Sequence, residues 1–194
     1  MSTIKRLFFV ILFIVGSTGV VRAQFDLPIG QREQLDKDVE VRDQVSRYCR
    51  LDYEGARLNA QDWAKLQPLV WWKSNPDYTQ IDVVSRYTVE TEATENHGKY
   101  NVTVQYRKLG NFDLAAGYVR EPANSVQEVN YTVTAVNGEW RILDTDNTMP
   151  HASRAAVLKW LNAKISSAPD APARKIYEDA LRQLQPQPAA PHAP

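Results

Sequence analysis

The sequence predicts an α+β fold, in which N-terminal helices pack on a curved, mainly antiparallel sheet and one or two extra helices follow at the C-terminus. Two long stretches alternate apolar and polar residues on either side of a tight-turn dipeptide, which is typical of β-hairpins. A helical periodicity precedes these hairpins and two others follow them. Because each hairpin has one apolar face that must be buried, we expect the helices to cover that face.

The closing hairpin, residues 126–144, is predicted by its turn and by its alternation together. Asn137-Gly138 supplies the two positive-φ residues that a type I′ turn requires. Such a two-residue turn pairs Val136 with Glu139, Ala135 with Trp140, Val133 with Ile142, and Tyr131 with Asp144. The same register gathers the apolar side chains on one face, namely Val129, Tyr131, Val133, Ala135, Trp140 and Ile142.

The first hairpin, residues 81–108, has its predicted turn at His97-Gly98. A two-residue loop there places Ala93 opposite Val102 and Val89 opposite Tyr106. Asp82 belongs to the polar set of this hairpin, which is expected to face water.

Four helical segments are predicted around the hairpins. The first covers residues 35–58, and its inward stripe consists of Val41, Val45, Tyr48, Cys49 and Asp52. A short second helix with Trp63 and Leu66 follows the capping sequence at residues 59–62. The last two helices cover residues 152–165 and 173–184.

Residues 1–23 are predicted to be a secretory signal peptide. Lys5 and Arg6 form its charged start, residues 7–15 are an unbroken apolar run, and Ala23 fits the small-residue position before a cleavage site. The alternative is an uncleaved anchor, but the apolar run is shorter than the ~20 residues that span a bilayer. No other stretch is apolar enough, so no membrane span is expected after cleavage, and the mature protein is expected to be periplasmic or secreted.

The remaining chain is predicted to divide into four parts. These are a flexible leader at 24–34, a folded domain at 35–165, a C-terminal helix at 166–184 and a disordered, Pro/Ala-rich tail at 185–194. Removal of the signal takes away three of the 23 basic residues and none of the 23 acidic ones. The mature chain is therefore mildly acidic, which argues against a nucleic-acid partner.

The single cysteine and the three histidines give little indication of reactive chemistry. Cys49 has no second cysteine to pair with, and it follows Val41 at helical spacing, so a buried small hydrophobe is expected. An intermolecular disulfide or a reactive thiol is the alternative. His97, His151 and His192 fall in a turn, a helix start and the tail, without ligand-spaced partners, so neither a metal nor a cofactor is expected.

Three segments of the chain resemble the nuclear-transport-factor-2-like superfamily, which includes polyketide-cyclase-like and ketosteroid-isomerase-like proteins. They are the helix DVEVRDQVSRYCRLDYEGARL, the short helix with Trp63, and the hairpin YTVTAVNGEWRILD, whose inward Trp140 followed by Ile142 is common in that superfamily. The resemblance covers roughly residues 36–148 and implies a cone-shaped fold with a cavity between sheet and helices. The two C-terminal helices are additions to that pattern.

The resemblance also implies which residues would line the cavity. They are Tyr48, Tyr53, Tyr87, Tyr100, Tyr106, Tyr131 and Trp140, with the acids Asp52 and Asp144. Enzymes of the superfamily use cavity acids and tyrosines as general acids and bases, because an apolar pocket raises the pKa of a carboxyl group. Asp144, at the end of its strand, is the first catalytic candidate and Asp52 is the second. Each also has a structural interpretation, as a turn residue or part of a packed core.

Two functions from different classes therefore remain open. The first is an exported binding or assembly module, which would hold a small apolar ligand or form a homodimer through the outer sheet face, where Val84, Val136 and Leu143 are expected. The second is a small isomerase, dehydratase or cyclase. No catalytic motif such as a glycine-rich phosphate loop or a nucleophile elbow is present, which favours the first.

We predict that export removes residues 1–23 and leaves Gln24 as the N-terminal residue. The intact mass of exported protein, with N-terminal sequencing, measures this directly. Recovery of the full 194-residue mass from the exported fraction would contradict the prediction.

Overall fold

A computed structural model describes residues 29–143 and 149–185, and in these residues the α+β prediction is confirmed. Four helices pack on a strongly curled sheet of six strands, which forms a half-barrel. The helices are α1 (Ile29–Tyr53), α2 (Trp63–Leu66), α3 (Arg154–Ser166) and α4 (Ala171–Leu184). The strands are β1 (Gln80–Asn96), β2 (Lys99–Asp113), β3 (Gly117–Arg120), β4 (Val126–Val136), β5 (Glu139–Ile142) and β6 (His151–Ser153).

The long strand β2 holds the sheet together. The order is β5-β4-β2-β1-β6, and the short β3 also pairs with the last residues of β2. All these pairs are antiparallel except β1 with β6, which run parallel over three residues. The C-terminal part of the chain therefore returns to lie beside the first strand.

The predicted register of the closing hairpin is confirmed for its first three pairs. Val136 pairs with Glu139, Ala135 with Trp140, and Val133 with Ile142. Asn137 and Gly138 have φ values of 53° and 82°, as the type I′ turn requires. The fourth predicted partner, Asp144, lies outside the described residues.

The first hairpin keeps its predicted turn but not its predicted register. Ala93 pairs with Val102 as expected. Val89 pairs with Val104, however, so the predicted pair of Val89 with Tyr106 is wrong. The register shifts between Val89 and Ala93, where β1 carries extra residues in a bulge. A turn sets the register only as far as the first bulge.

Two further register shifts, between Val83 and Arg86, change which face the first residues of β1 present. Val84 packs in the cluster beneath α1, so its predicted place on the outer face is wrong. Val83 packs on the other side, in the cluster beneath α3 and α4. Asp82 was expected to face water and is instead fully buried.

The described chain thus has two apolar clusters. The first lies between α1 and the sheet and includes Val45, Tyr48, Val104, Tyr106 and Val133. In the second, Phe112 packs edge-to-face on Trp160 of α3, with ring centroids 5.6 Å apart, and Ala180 and Leu184 of α4 are buried with them. At the β1–β6 end, helices therefore cover both faces of the sheet.

The first helix begins and ends earlier than predicted. Its described part extends back to Ile29, so residues 29–34 of the predicted flexible leader are helical, and Gln31 and Glu33 among them favour a helix. It ends at Tyr53 instead of residue 58, because Gly55 takes a left-handed conformation with φ of 91°. The next residues, Ala56–Leu58, form a 3₁₀ turn.

The two C-terminal helices lie close to their predicted positions and are capped by their own side chains. Ser153 accepts a hydrogen bond from the backbone N–H of Ala156, and Asp170 accepts one from Ala173. In the described part of the chain no helix is long and apolar enough to cross a membrane. The predicted signal peptide and residues 186–194 of the predicted tail fall outside that part.

We predict that Gly55→Ala lowers the free energy of unfolding more than Gly138→Ala does. Both glycines have positive φ, which an alanine adopts at a cost of about 1–2 kcal/mol. At Gly55 the new Cβ would also lie 2.9 Å from the Cβ of Ala156, and such overpacking lowers the free energy of unfolding by about 1–3 kcal/mol more. At Gly138 no atom lies within 4 Å of the new Cβ.

Urea unfolding of the single variants and of Gly55→Ala/Ala156→Gly measures this difference. Removing the Ala156 methyl should restore part of the loss relative to Ala156→Gly alone, because the two Cβ atoms then no longer collide. Equal losses at Gly55 and Gly138, with no coupling to Ala156, would contradict the prediction.

Candidate functional site

Four of the tyrosines predicted to line a cavity are buried beneath α1. Tyr48, Tyr100, Tyr106 and Tyr131 are each 3% exposed or less, whereas Tyr87 and Trp140 are half-buried at the edge of the same cluster. The rings contact one another, with 5.5 Å between the centroids of Tyr48 and Tyr131 and 6.2 Å between those of Tyr87 and Tyr106. These side chains therefore pack together as a group.

The hydroxyl groups in the middle of this cluster form a short chain of hydrogen bonds. The Tyr106 hydroxyl donates to Sγ of Cys49 at 3.1 Å and lies 2.9 Å from the Tyr131 hydroxyl. Since a hydroxyl has one hydrogen to donate, Tyr131 is the donor in the second bond. The cluster thus partners its own polar atoms.

Burial shifts the acid–base properties of these groups away from neutral pH. It raises the pKa of Cys49 to about 12 and the pKa of Tyr106 and of Tyr131 well above 10. Burial also raises the pKa of Tyr48, and the negative charge of Asp52 adds to the effect. Near neutral pH the cluster contains neither a thiolate nor a phenolate, so the reactive-thiol alternative for Cys49 is disfavoured.

Asp52, the second catalytic candidate, lies at the end of α1 and is 1% exposed. Its Oδ2 accepts a hydrogen bond of 2.9 Å from the backbone N–H of His151, the first residue of β6. The sequence predicted His151 at a helix start, and the structure corrects this to a buried strand position. Asp52 therefore joins the first helix to the last strand.

The imidazole of His151 lies between two buried carboxylates. Its Nδ1 is 3.7 Å from Oδ2 of Asp52, and its Nε2 is 3.6 Å from Oδ2 of Asp82. Both distances exceed a hydrogen bond, and neither ring nitrogen has a hydrogen-bond partner in the described chain. The ring stacks on Tyr106, with centroids 4.0 Å apart.

Two cations compensate the two carboxylates. The Lys108 ammonium is 2.8 Å from Oδ1 of Asp82, which also accepts a hydrogen bond of 3.1 Å from Asn111. Arg57 is buried beside Tyr48 and Asp52, and its side chain is hydrogen-bonded to the Tyr48 hydroxyl. Burial alone would lower the pKa of Arg57, but Tyr48 and Asp52 raise it above its ordinary value. Lys108 thus forms an ion pair with Asp82, and Arg57 supplies positive charge near Asp52, which lowers the cost of burying the two carboxylates.

The structure brings together only part of the predicted site. Asp52 lies with Tyr48, Tyr106 and Tyr131, whereas Tyr100 and Trp140 pack edge-to-face elsewhere in the cluster. Asp144, the first catalytic candidate, falls outside the described residues. The burial of Asp82 could not be predicted from the sequence, because the bulge that follows it in β1 leaves no mark in the alternating pattern. No local sequence pattern indicated that His151 or Arg57 is buried near Asp52.

Two grooves open on the surface at the start of α3, and neither is lined by the buried Tyr48, Tyr106 or Tyr131. The first, named the basic groove, has a volume of about 440 Å³ and is lined by Arg107, Lys108, Tyr118, Arg120, Glu121 and Arg154, among others. The second, named the apolar groove, has a volume of about 550 Å³ and is lined mainly by Tyr53, Val84, Leu109, Ala155 and Leu158. Both volumes are within the range of small-molecule sites.

Comparisons with known proteins leave the family open. A scan against protein-family models and searches of curated proteins and of solved structures give no significant match. Helices on a curled half-barrel are compatible with the cone-shaped fold that the resemblance implies. Within the described residues, no group of His, Cys, Asp and Glu side chains is arranged to hold a metal ion.

We predict that the free energy of unfolding falls as the pH rises above about 9. Cys49 and the buried tyrosines have raised pKa values in the folded chain and ordinary values of 9.0 and 10.0 when unfolded. Their contribution is therefore fully present below those unfolded values and is lost as the pH rises towards the folded values.

Guanidinium unfolding at a series of pH values, from about one unit below the ordinary pKa of Cys49 to about one unit above that of the tyrosines, measures this loss. Tyr131→Phe removes one of the titrating groups, so its stability should fall less steeply with pH than that of the unmodified chain. A stability that stays level to pH 11, or an unchanged slope in Tyr131→Phe, would contradict the prediction.

Proposed function

We propose that this chain is an exported, single-domain binding module of the nuclear-transport-factor-2-like superfamily, which holds a small apolar ligand and performs no catalysis. The predicted signal peptide supports export, and the curled sheet under α1 supports the superfamily. The observation that carries the proposal is the position of Asp52, whose carboxylate is buried and bonded to the backbone of β6.

A general acid or base must reach the substrate, which Asp52 does not do here. Its Oδ2 is occupied by the His151 N–H at 2.9 Å, and only 1% of the residue is exposed. The neighbouring tyrosines direct their hydroxyls at each other and at Cys49. These contacts support a structural role for the groups that catalysis would need.

One observation favours the alternative, a small isomerase, dehydratase or cyclase. Oδ1 of Asp52 and both ring nitrogens of His151 lack hydrogen-bond partners in the described chain, and a catalytic role is one explanation for buried polar atoms without partners. A substrate that opened the cluster would find an acid and an imidazole together. Comparison of the ligand carried by the wild-type protein and by Asp52→Asn separates the two functions.

Self-association through the outer sheet face remains a prediction with a smaller supporting surface. Val84 packs in the cluster beneath α1 and does not belong to the outer face. Polar side chains on that face form hydrogen bonds between neighbouring strands. Thr103 donates to Asn130 at 2.7 Å, and Thr132 donates to Asn101 at 3.1 Å. We therefore place ligand binding before dimerisation in the proposal.

Native mass spectrometry of the exported protein, with Asp52→Asn as the matched variant, tests the proposed function. We expect both proteins to carry the same non-covalent ligand at similar occupancy, which denaturation releases unchanged. Asparagine keeps an oxygen to accept the His151 N–H but removes the charge, so Asp52→Asn should unfold with a free energy lower by about 1–3 kcal/mol.

Two results would overturn the proposal. A wild-type protein that holds no small molecule would contradict ligand binding. A different ligand mass in Asp52→Asn, as when an unconverted substrate replaces a product, would indicate catalysis by the buried acid. If Asp52→Asn does not fold, the same comparison is made with Tyr131→Phe, which keeps the ring and removes the hydroxyl.

A further inference from the structure

The basic groove contains more positive charge than the surrounding protein neutralises. Its cationic side chains are Arg107, Lys108, Arg120 and Arg154, and its one carboxylate is Glu121. The Lys108 ammonium already lies 2.8 Å from Asp82 and 3.7 Å from Glu121. The three guanidinium groups therefore share one groove, and the two carboxylates nearest to it, Asp82 and Glu121, already interact with Lys108.

None of these three arginines has a carboxylate within 4 Å in the described chain. Arg107 donates to the side-chain oxygen of Asn124 at 2.6 Å, and Arg120 donates to the backbone oxygen of Gln183 at 3.4 Å. Arg154 is exposed at the first position of α3, and its guanidinium forms no hydrogen bond or ion pair with another described residue. Tyr118 lies on the wall of the groove. Burial raises the pKa of Tyr118, and the positive charges of Arg120 and Arg154 partly oppose that rise.

The apolar groove adjoins the basic one. Leu109 and Arg154 line both grooves, so the guanidinium of Arg154 belongs to the boundary between them. Beyond that boundary the walls include the half-buried side chains of Tyr53 and Leu158. The two halves thus differ in chemistry, with arginines on one side and hydrocarbon on the other.

We propose that the two grooves together bind an amphiphilic anion, with a carboxylate head among Arg107, Arg120 and Arg154 and a hydrocarbon tail along Leu109 and Leu158. Guanidinium groups bind carboxylates through paired, charge-assisted hydrogen bonds. The apolar side chains favour a tail that leaves water. This inference rests on the proposed binding function, changes its ligand from a purely apolar molecule to one with an anionic head, and places that ligand outside the tyrosine cluster.

The test is isothermal titration of the mature protein with decanoate. Decanol supplies the tail without the charge, and acetate supplies the head without the tail. Both should bind at least about tenfold more weakly than decanoate, because decanol lacks the charge-assisted hydrogen bonds and acetate lacks the apolar area. Decanoate affinity should also fall as sodium chloride is added, because the arginines are at the surface.

Variants then locate the binding site. Arg154→Gln should weaken decanoate binding on the order of tenfold, as expected for one charge-assisted hydrogen-bonding group. Lys159→Gln is the matched control, since it removes a positive charge from the same helix but lies in a different groove, and it should leave the affinity unchanged. Leu158→Ser should weaken decanoate and leave the weak acetate binding as it is.

Several outcomes would overturn the inference. They are an equal loss in Arg154→Gln and Lys159→Gln, decanol binding as tightly as decanoate, acetate binding as tightly as decanoate, or no decanoate binding. If the native protein carries a ligand whose release is unaffected by Arg154→Gln and by decanoate, the proposed function stands and only this location and ligand class fail. If the native protein carries no ligand but still binds decanoate as predicted, the location and ligand class stand and the proposed function fails.

Discussion

The hydrogen bond from the backbone N–H of His151 to Asp52 determines how the two ends of the domain meet. It fixes the end of α1 against β6, which in turn pairs with β1 and leads directly into the N-cap of α3. A backbone donor bound to a buried carboxylate is a strong contact, and loss of either partner leaves an unsatisfied polar group in the core. The position of the C-terminal helices therefore follows from one acidic residue on the N-terminal helix.

The same arrangement explains why the sheet has helices on both of its faces. The bulges in β1 direct Val84 towards α1 and Val83 towards α3 and α4, so one strand supplies side chains to two separate apolar clusters. The helices that follow β6 can then bury Phe112 and Trp160 on the face of the sheet opposite α1. The grooves at the start of α3 lie where α3 begins and α4 ends, beside β2 and β3.

Local features of the fold were predictable, whereas features that depend on long-range contacts were not. The Asn137-Gly138 turn carries its own register, and the pairs next to it were predicted correctly. Val89, Asp82 and Val84 were misplaced because a bulge leaves no clear mark in an alternating pattern. The clustering of His151 with Asp52 and Asp82 joins residues from three parts of the chain, so no spacing in the sequence shows it. The inward stripe of the first helix was enough to predict that Asp52 lies near the tyrosines. The surface grooves could not be predicted, because they form between elements that are far apart in the sequence.

The parallel pairing of β1 with β6 also affects the order in which the chain folds. β1 finds its hairpin partner β2 within a few residues, but its other edge stays open until His151, Ala152 and Ser153 arrive from far along the chain. Contacts between distant parts of a chain form slowly, because the loop between them must first close. We therefore expect the hairpins to form first and the β6–α3–α4 segment to close last. During folding the outer edge of β1 therefore stays unpaired longer than the rest of the sheet.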